Sequence, residues 1–416
     1  MTLEEEVLSK IKPTEEEEEK LMEKAQIILE RFRDLDAELE GSFRKGTWLK
    51  GASDIDIFVL YPKSVGEKYL KEKALKEMIE RVKDLEYKIA YAEHPYLIVT
   101  VDGIDIDVVP ALRIESGEEV ITATDRTPLH SRYVLSHLDE KGKDEVRLLK
   151  RFMKGIGVYG AEIKVKGFSG YVAELLVIKH GSFRGVLESA SKWKPPVRVE
   201  LVKPKKEFQD PLIIPDPVDP RRNTASAVSL KSLATFSLAS RMYLERPSID
   251  FFFPTREVKA VADTDVLLVK IEVKEKVVED LIWGQVWKSV ERIKKYLEKE
   301  GYKVIDTIAW GDEKEIVVVI QLESREIGKY YLIRGPYFYL KEAVDGFIKT
   351  HEKVWVGEDG RLYAIEERKE SVEDIVKKAI AISYRHYAEM MWIEKGKEVS
   401  GELAKFLAKT PSWLRE

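Results

Sequence analysis

Asp54 and Asp56 stand two residues apart in the run Asp-Ile-Asp-Ile-Phe-Val-Leu-Tyr of residues 54–61, which reads as a β-strand ending at Pro62. Side chains alternate faces along a strand, so both carboxylates are expected on one side and Ile55 and Ile57 on the other. Carboxylates that converge with no base between them repel each other, and a divalent cation is the natural compensation. The pair alone carries little weight. With 75 acidic residues in 416, chance gives about 13 acid-x-acid pairs, most of them on solvated surface.

Three neighbouring features add chemistry. Gly41-Ser42 lies upstream at a turn entering a short helix, where backbone N–H groups and a hydroxyl can hold phosphate oxygens. Arg44, Lys45 and Lys50 follow and supply positive charge for a polyphosphate. Asp107 comes after the turn Asp102-Gly103, in a strand able to pair beside the first. Asp54, Asp56 and Asp107 on adjacent strands would form a two-metal site. One ion would activate a hydroxyl while the other neutralises a triphosphate and its leaving pyrophosphate. Asp107, nearest the hydroxyl, could ligate metal and help accept its proton. Asp105 shares that face but ranks below, because Asp107 abuts the apolar Val108-Val109-Pro110. With six His and no Cys, a hard ion such as Mg²⁺ on carboxylates is expected.

These residues need elements to hold them. Thr14 with Glu17 reads as a capping box opening a helix that runs to about Arg33. A short alternating piece spans 36–40, a helix is expected over roughly 65–84, and 96–110 reads as a hairpin. Together they predict a small mixed α/β domain with a sheet. From 141 the pattern turns helical, over 143–154, 170–181 (capped by Ser169) and about 224–242. Pro195-Pro196 interrupts it, before a strand-like 197–202, the basic Lys203, Lys205 and Lys206, and a proline-rich turn region at 211–220. Strand 266–274, helix 285–300, and strands 303–309 and 315–322 follow in a βαββ order that predicts a ferredoxin-like sandwich. A final helix is expected near 371–396.

At 416 residues, 44% of them apolar, two to four domains are expected. The absence of cysteine excludes disulfides, Cys-ligated zinc and thiol catalysis, and fits a cytoplasmic protein. No run approaches the roughly 20 apolar residues of a membrane span, so no membrane partner is expected. The net charge of −5 resides in residues 1–24, where nine Glu face four Lys; the remainder carries 66 residues of each sign. A neutral body permits a local basic groove for nucleic acid.

Gly41-Ser42, then Thr47-Trp48-Leu49-Lys50-Gly51, then Asp54-Ile55-Asp56, resembles the polymerase-β-like nucleotidyltransferase signature. More narrowly, the chain is similar to the archaeal class I CCA-adding tRNA nucleotidyltransferases. Agreement continues through Asp107-Val108-Val109-Pro110, Asp125-Arg126-Thr127-Pro128-Leu129-His130, Leu148-Leu149-Lys150, Val158-Tyr159-Gly160-Ala161-Glu162, Gly167-Phe168-Ser169-Gly170-Tyr171, and Asp216-Pro217-Val218-Asp219 with Arg221-Arg222-Asn223. It covers about residues 41–223 and is looser beyond.

That resemblance implies addition of C, C and A to tRNA 3′ ends from CTP and ATP, without a nucleic-acid template and using Mg²⁺. Asp54, Asp56 and Asp107 would be the catalytic, metal-binding carboxylates. Ser42, Lys45, His130, Lys150 and Tyr159 would contact the nucleotide, mainly its triphosphate and sugar, and Arg222 would help read the base edge. The family pattern differs at Arg44-Lys45, and either side chain could carry the phosphate contact. The tRNA acceptor and TΨC stem would be held by shape, as suits A-form RNA. The oligomeric state is left open, with a homodimer among the arrangements allowed. Rival readings are a poly(A) polymerase or oligoadenylate synthetase of the same superfamily, and a non-catalytic RNA-binding protein.

The expected architecture is α+β and multidomain. It comprises a polymerase-β-like palm (1–140), a helical central domain binding nucleotide and tRNA (141–250), a ferredoxin-like C-terminal body (251–322 and 385–416) and a small α/β tail (323–384). Each singled-out residue also has a plain structural reading. Lys150 could be solvated, Tyr159 a core aromatic, His130 a helix cap, Arg222 a residue that satisfies a helix or pairs with Asp219, and the aromatics of 330–339 core.

Overall fold

The computed structural model describes residues 1–52, 54–254 and 257–414. The chain divides into two compact units, residues 1–254 with 411–414, and residues 257–410.

The first unit begins with helices α1 (Leu3–Ile11) and α2 (Glu15–Arg31), each opened by a threonine capping box, Thr2 with Glu5 and Thr14 with Glu17. Strand β1 (Asp36–Glu40) leads straight into the short helix α3 (Gly41–Lys45), and β2 (Ile55–Pro62) follows. The helical stretch expected over 65–84 contains α4 (Gly66–Tyr69), a π-helical turn (Leu70–Ala74) and α5 (Leu75–Val82). Strands β3 (Glu86–Tyr91), β4 (Pro95–Val101) and β5 (Ile104–Arg113) complete a sheet ordered β1-β2-β5-β4-β3. Sequence reading missed β3. It is an edge strand with little burial, so its apolar alternation is weak.

Period two decides which face does what. Ile55, Ile57, Val59 and Tyr61 of β2, with Ile106 and Val108 of β5, pack on Ala25 and Ile28 of α2, Phe32 just after it, and Met78 and Val82 of α5. Asp56 and Asp107 therefore face the other way. The hairpin turn is held by Asp102 (φ 47) and Gly103 (φ 81), both in the left-handed region.

Helices α6 (Thr127–His137), α7 (Glu140–Gly155), α8 (Gly170–His180), α9 (Phe183–Ala190) and α10 (Leu230–Glu245) follow, with a two-residue pairing of β6 (Val197–Arg198) and β7 (Leu212–Ile213). The expected strand 197–202 is thus only its first two residues. The helix expected at 224 begins at Leu230, capped by Ser229. The intervening turn has other bonds: Asn223 Oδ1 accepts from Ile214 N at 2.8 Å, and Asn223 Nδ2 donates to Leu212 O at 2.9 Å. Phe152 of α7 centres an aromatic core with Phe183, Phe236, Tyr243, Phe251 and Phe252. Trp413 packs against Phe251 with ring centroids 5.6 Å apart and the planes tilted by 34°. Residues 251–254 and 411–414, which sequence reading joined to the C-terminal body, therefore pack in this unit.

The second unit contains β8 (Ala260–Val261), β9 (Asp265–Val273), α11 (Glu279–Lys299), β10 (Val304–Gly311) and β11 (Glu315–Leu322). Then come β12 (Tyr330–Tyr337), α12 (Lys341–Thr350), β13 (Val354–Val356) and β14 (Arg361–Glu367), which build a separate sheet ordered β12-β14-β13. The chain ends on α13 (Val372–Ala379), β15 (His386–Ile393), β16 (Glu398–Val399), paired with β8, and α14 (Gly401–Ala408). The main sheet, ordered β10-β11-β9-β15, is antiparallel throughout and its elements run β-α-β-β-α-β. That is the ferredoxin-like topology, with β12–β14 inserted before its second helix. The single helix expected over 371–396 is instead α13 followed by a strand. His386 to Ile393 alternates in burial with period two and pairs with β9. The core reading of the 330–339 aromatics also fails in part: Tyr330, Phe338 and Tyr339 are exposed.

Candidate active site

Asp56 and Asp107 are direct neighbours in the parallel register of β2 and β5. The same row continues to Glu40 on β1 and, across β4, through Ile98 to Lys88 on β3. Burial, and then the charge of Asp54, pushes the Asp56 carboxyl up to about 6. Burial, then Asp56 and Asp54, pushes Asp107 up to about 6 as well. Asp54 departs from expectation. It precedes β2, which starts at Ile55, and is exposed, yet it acts electrostatically on both strand carboxylates. Asp105 turns to Thr100 Oγ1 at 2.7 Å and Lys88 at 3.5 Å.

Among the described residues no three carboxylate or imidazole groups form a complete ion cage. The donor set still fits a hard divalent cation. Adjacent carboxylates hold each other's protons on, and a cation between them removes that repulsion while phosphate or water completes its shell.

Gly41 and Ser42 occupy the first turn of α3, as the sequence predicts. Of the three nearby cations, Arg44 bonds Glu38 at 3.1 Å and also Glu40, and Lys50 pairs with Glu17 at 3.4 Å. Lys45 turns inward, lowers the Asp56 carboxyl by its charge, and bonds Glu174 at 2.6 Å.

Glu174 is the residue sequence reasoning missed. It is fully buried on α8 and accepts from Lys45 Nζ and Thr47 Oγ1, each at 2.6 Å. Lys150 of α7 stands 3.6 Å from the same carboxylate and donates to Thr47 O and Oγ1 at 3.1 Å. Lys150 is therefore no solvated lysine. Burial lowers its ammonium to about 8, against the pull of Glu174. Two lysines share one carboxylate, so the pocket keeps net positive charge. Tyr159 lies beside it: a Cβ on Gly170 would meet the Tyr159 hydroxyl at 3.0 Å and the Lys150 ammonium at 3.4 Å. Lys154 covers the Tyr159 ring at 5.2 Å.

A second buried carboxylate, Asp216, gathers His130 and Arg222. His130 Nε2 bonds Asp216 Oδ2 at 2.8 Å, and Arg222 Nη1 donates to the same oxygen at 3.2 Å. The cap reading of His130 and the Asp219 pairing of Arg222 do not hold. His130 lies inside α6 rather than at its cap, and Asp219 pairs with Arg126 and Arg221 instead of Arg222. Tyr171 links the clusters, stacking on His130 at 3.9 Å and lying under the Lys45 ammonium at 5.8 Å.

Three family descriptions match in sequence: a nucleotidyltransferase domain over residues 21–130, the second domain of tRNA nucleotidyltransferase over 144–253, and the C-terminal domain of the CCA-adding enzyme over 263–405. Over 416 residues, all of both chains, the protein is 64% identical to a CCA-adding enzyme of Sulfurisphaera tokodaii. The chain belongs to the CCA-adding enzymes. A CCA-adding enzyme of Sulfolobus acidocaldarius is 57% identical over the whole of both chains, and one of Saccharolobus shibatae is 56% identical over 99% of this chain and all of that one. As a CCA-adding enzyme it is a tRNA nucleotidyltransferase that uses nucleotide substrates and divalent metal, and its first sheet is the polymerase-β-like palm of that fold. No helix among its described residues is long and apolar enough to cross a membrane.

Proposed function

We propose that this site adds C, C and A in turn to the 3′ end of tRNA, from CTP and ATP. The observation that carries the chemistry is the side-by-side register of Asp56 and Asp107 on one sheet face, with the Lys45 ammonium of a buried two-lysine, one-carboxylate cluster acting on Asp56. Asp54, Asp56 and Asp107 would hold Mg²⁺, which neutralises triphosphate charge and acidifies the attacking hydroxyl. Asp107 would take the proton of the tRNA 3′-hydroxyl. That oxygen bonds to the α-phosphorus, and the bond to pyrophosphate breaks. Ser42 and Lys45 would meet the triphosphate. Lys150, Tyr159 and His130 would extend that surface toward the sugar, and Arg222, which shares the Asp216 carboxylate with His130, would help read the base edge. The acceptor and TΨC stem would be recognised by backbone and shape, which asks only for a local basic groove in a near-neutral chain. A cytoplasmic location fits a chain without cysteine.

The test is incubation with CTP, ATP and tRNA lacking its last three nucleotides, followed by sequencing of the product. Tails ending strictly at CCA support the reading. An open-ended A tract would instead make it a poly(A)-type polymerase.

A further inference from the structure

Asp216 is fully buried, and its carboxylate is saturated by donors from three elements. Oδ1 accepts from the Tyr171 hydroxyl on α8 at 3.1 Å and from Val218 N at 3.1 Å. Oδ2 accepts from His130 Nε2 on α6 at 2.8 Å and from Arg222 Nη1 at 3.2 Å. Four bonds fill the acceptor capacity of a carboxylate. The anchor is dry while the Arg222 side chain it holds is 40% exposed. That is the arrangement of a preorganised donor, its rotamer fixed from behind and its remaining face turned outward. Because His130 offers Nε2–H to Asp216, its neutral ring leaves Nδ1 as an acceptor. One carboxylate oxygen thus holds both Arg222, a donor group, and His130, whose Nδ1 can accept.

We infer that Asp216 is a positioning residue for nucleotide selection, holding His130 and Arg222 as one rigid unit against which the incoming base is chosen. The inference rests on the reading that this site adds C and A. A base is rejected most strongly where it leaves fixed polar groups unpaired, and that penalty vanishes when those groups can swing away. Cytosine and adenine share an amino donor beside a ring acceptor, whereas uracil reverses both. A fixed acceptor–donor pair separates these classes, and a mobile one does not.

Asp216→Asn tests this with almost no change in volume. The amide must put its NH₂ at one end. At the Oδ1 position it would face Val218 N–H, a backbone donor that cannot move. At the Oδ2 position it faces His130 Nε2, which can change tautomer and accept, and Arg222, which has no acceptor but can rotate into solvent. The second orientation is the expected one, and it releases Arg222. The measurements are kcat and KM for CTP on tRNA lacking CCA, for ATP on tRNA ending in CC, and for misincorporation of U, with melting followed in parallel. The variants are Asp216→Asn, Arg222→Ala and their combination.

Losing a hydrogen bond to a charged partner predicts a roughly 10- to 100-fold fall in kcat/KM for CTP and ATP, mainly through KM. U misincorporation relative to C should rise about 10-fold. The double variant should lie within about 3-fold of Arg222→Ala, since both changes remove one unit. Additive losses, or an unchanged preference for C over U, overturn the inference. If Asp216→Asn has no cooperative melt, Tyr171→Phe decides. It deletes one bond to the same carboxylate while keeping the ring stack on His130, and it should shift the preference in the same direction; no shift overturns the inference. Absence of any C or A addition by the unmodified chain overturns the functional reading itself. Normal addition by that chain with unchanged preference in the variants overturns this inference alone.

Discussion

A Cβ placed on Gly41 would stand 2.0 Å from Oδ2 of Asp56. The backbone at Gly41 also has φ +69, where a side chain costs about 1–2 kcal/mol. Glycine is there because the turn from β1 into α3 passes against the carboxylate. Gly41→Ala should therefore push Asp56 off its position beside Asp107. A shift near 1 Å in a reacting group can cost about 100-fold, and the expected loss in kcat is of that size. The enzyme should still melt cooperatively. Nucleotide incorporation measured with a melting curve checks this, and full activity in the variant would show that Asp56 tolerates displacement.

Asp56→Ala removes a carboxylate without touching the apolar face of β2. Incorporation should fall on the order of 1,000-fold or more, and a chelator of divalent cations should do the same to the unmodified enzyme. Retention of tRNA in a gel shift should stay within about 3-fold, because positioning contacts to RNA backbone are separate from the metal. Near-normal incorporation would remove Asp56 from the metal site.

What was legible in the sequence follows from distance along the chain. The alternation of 54–61, the Asp102-Gly103 turn and the Thr14 capping box are local patterns whose physics acts within a few residues. The two buried carboxylates are different. Glu174 meets Lys45 across 129 residues, and Asp216 meets His130 across 86. A strand or helix period carries no trace of such partners. One signal was available: Glu174 is the lone acid in the apolar helix Gly170–His180, and a buried charge needs a partner. The 371–396 error has a local cause. α13 and β15 are both amphipathic and joined by a short link, so a helical period was extended over a strand. Asp54 was misplaced by one residue because strand ends are set by pairing, not by composition.

Glu174→Gln should destabilise the enzyme. The neutral amide leaves Lys45 and Lys150, both nearly fully buried, without an anion. Breaking a buried ion pair from one side costs about 3–5 kcal/mol. Lys150, already lowered to about 8 by burial, should then shed its proton more easily. Denaturant midpoints should therefore recover partly as pH rises from 7 to 9 in the variant, relative to the unmodified chain. Equal midpoints in the two proteins at pH 7 would mean that the cluster contributes nothing to the fold.

Glu40 carries the clearest pH signature. It is fully buried at the end of β1, one row position from Asp56, and bonds both Ser131 and Arg44. Burial raises its carboxyl from 4.5 to about 7, and neighbouring Glu38 adds to this, while Ser131 and Arg44 pull the other way. The sign follows from proton counting. Between about 4.5 and about 7 the folded chain keeps this proton and the unfolded chain has lost it. Stability from this residue is thus fully present below 4.5, declines as pH rises through that window, and is level above it. The whole change is on the order of 3 kcal/mol. Glu40→Gln cannot ionise, and its amide oxygen still accepts from Ser131 or Arg44. Subtracting its denaturation free energy from that of the unmodified chain, measured from pH 4 to pH 8, should give a curve that falls toward neutral pH and then flattens. A flat difference curve, or one rising with pH, would mean that Arg44 keeps Glu40 ionised in the folded enzyme.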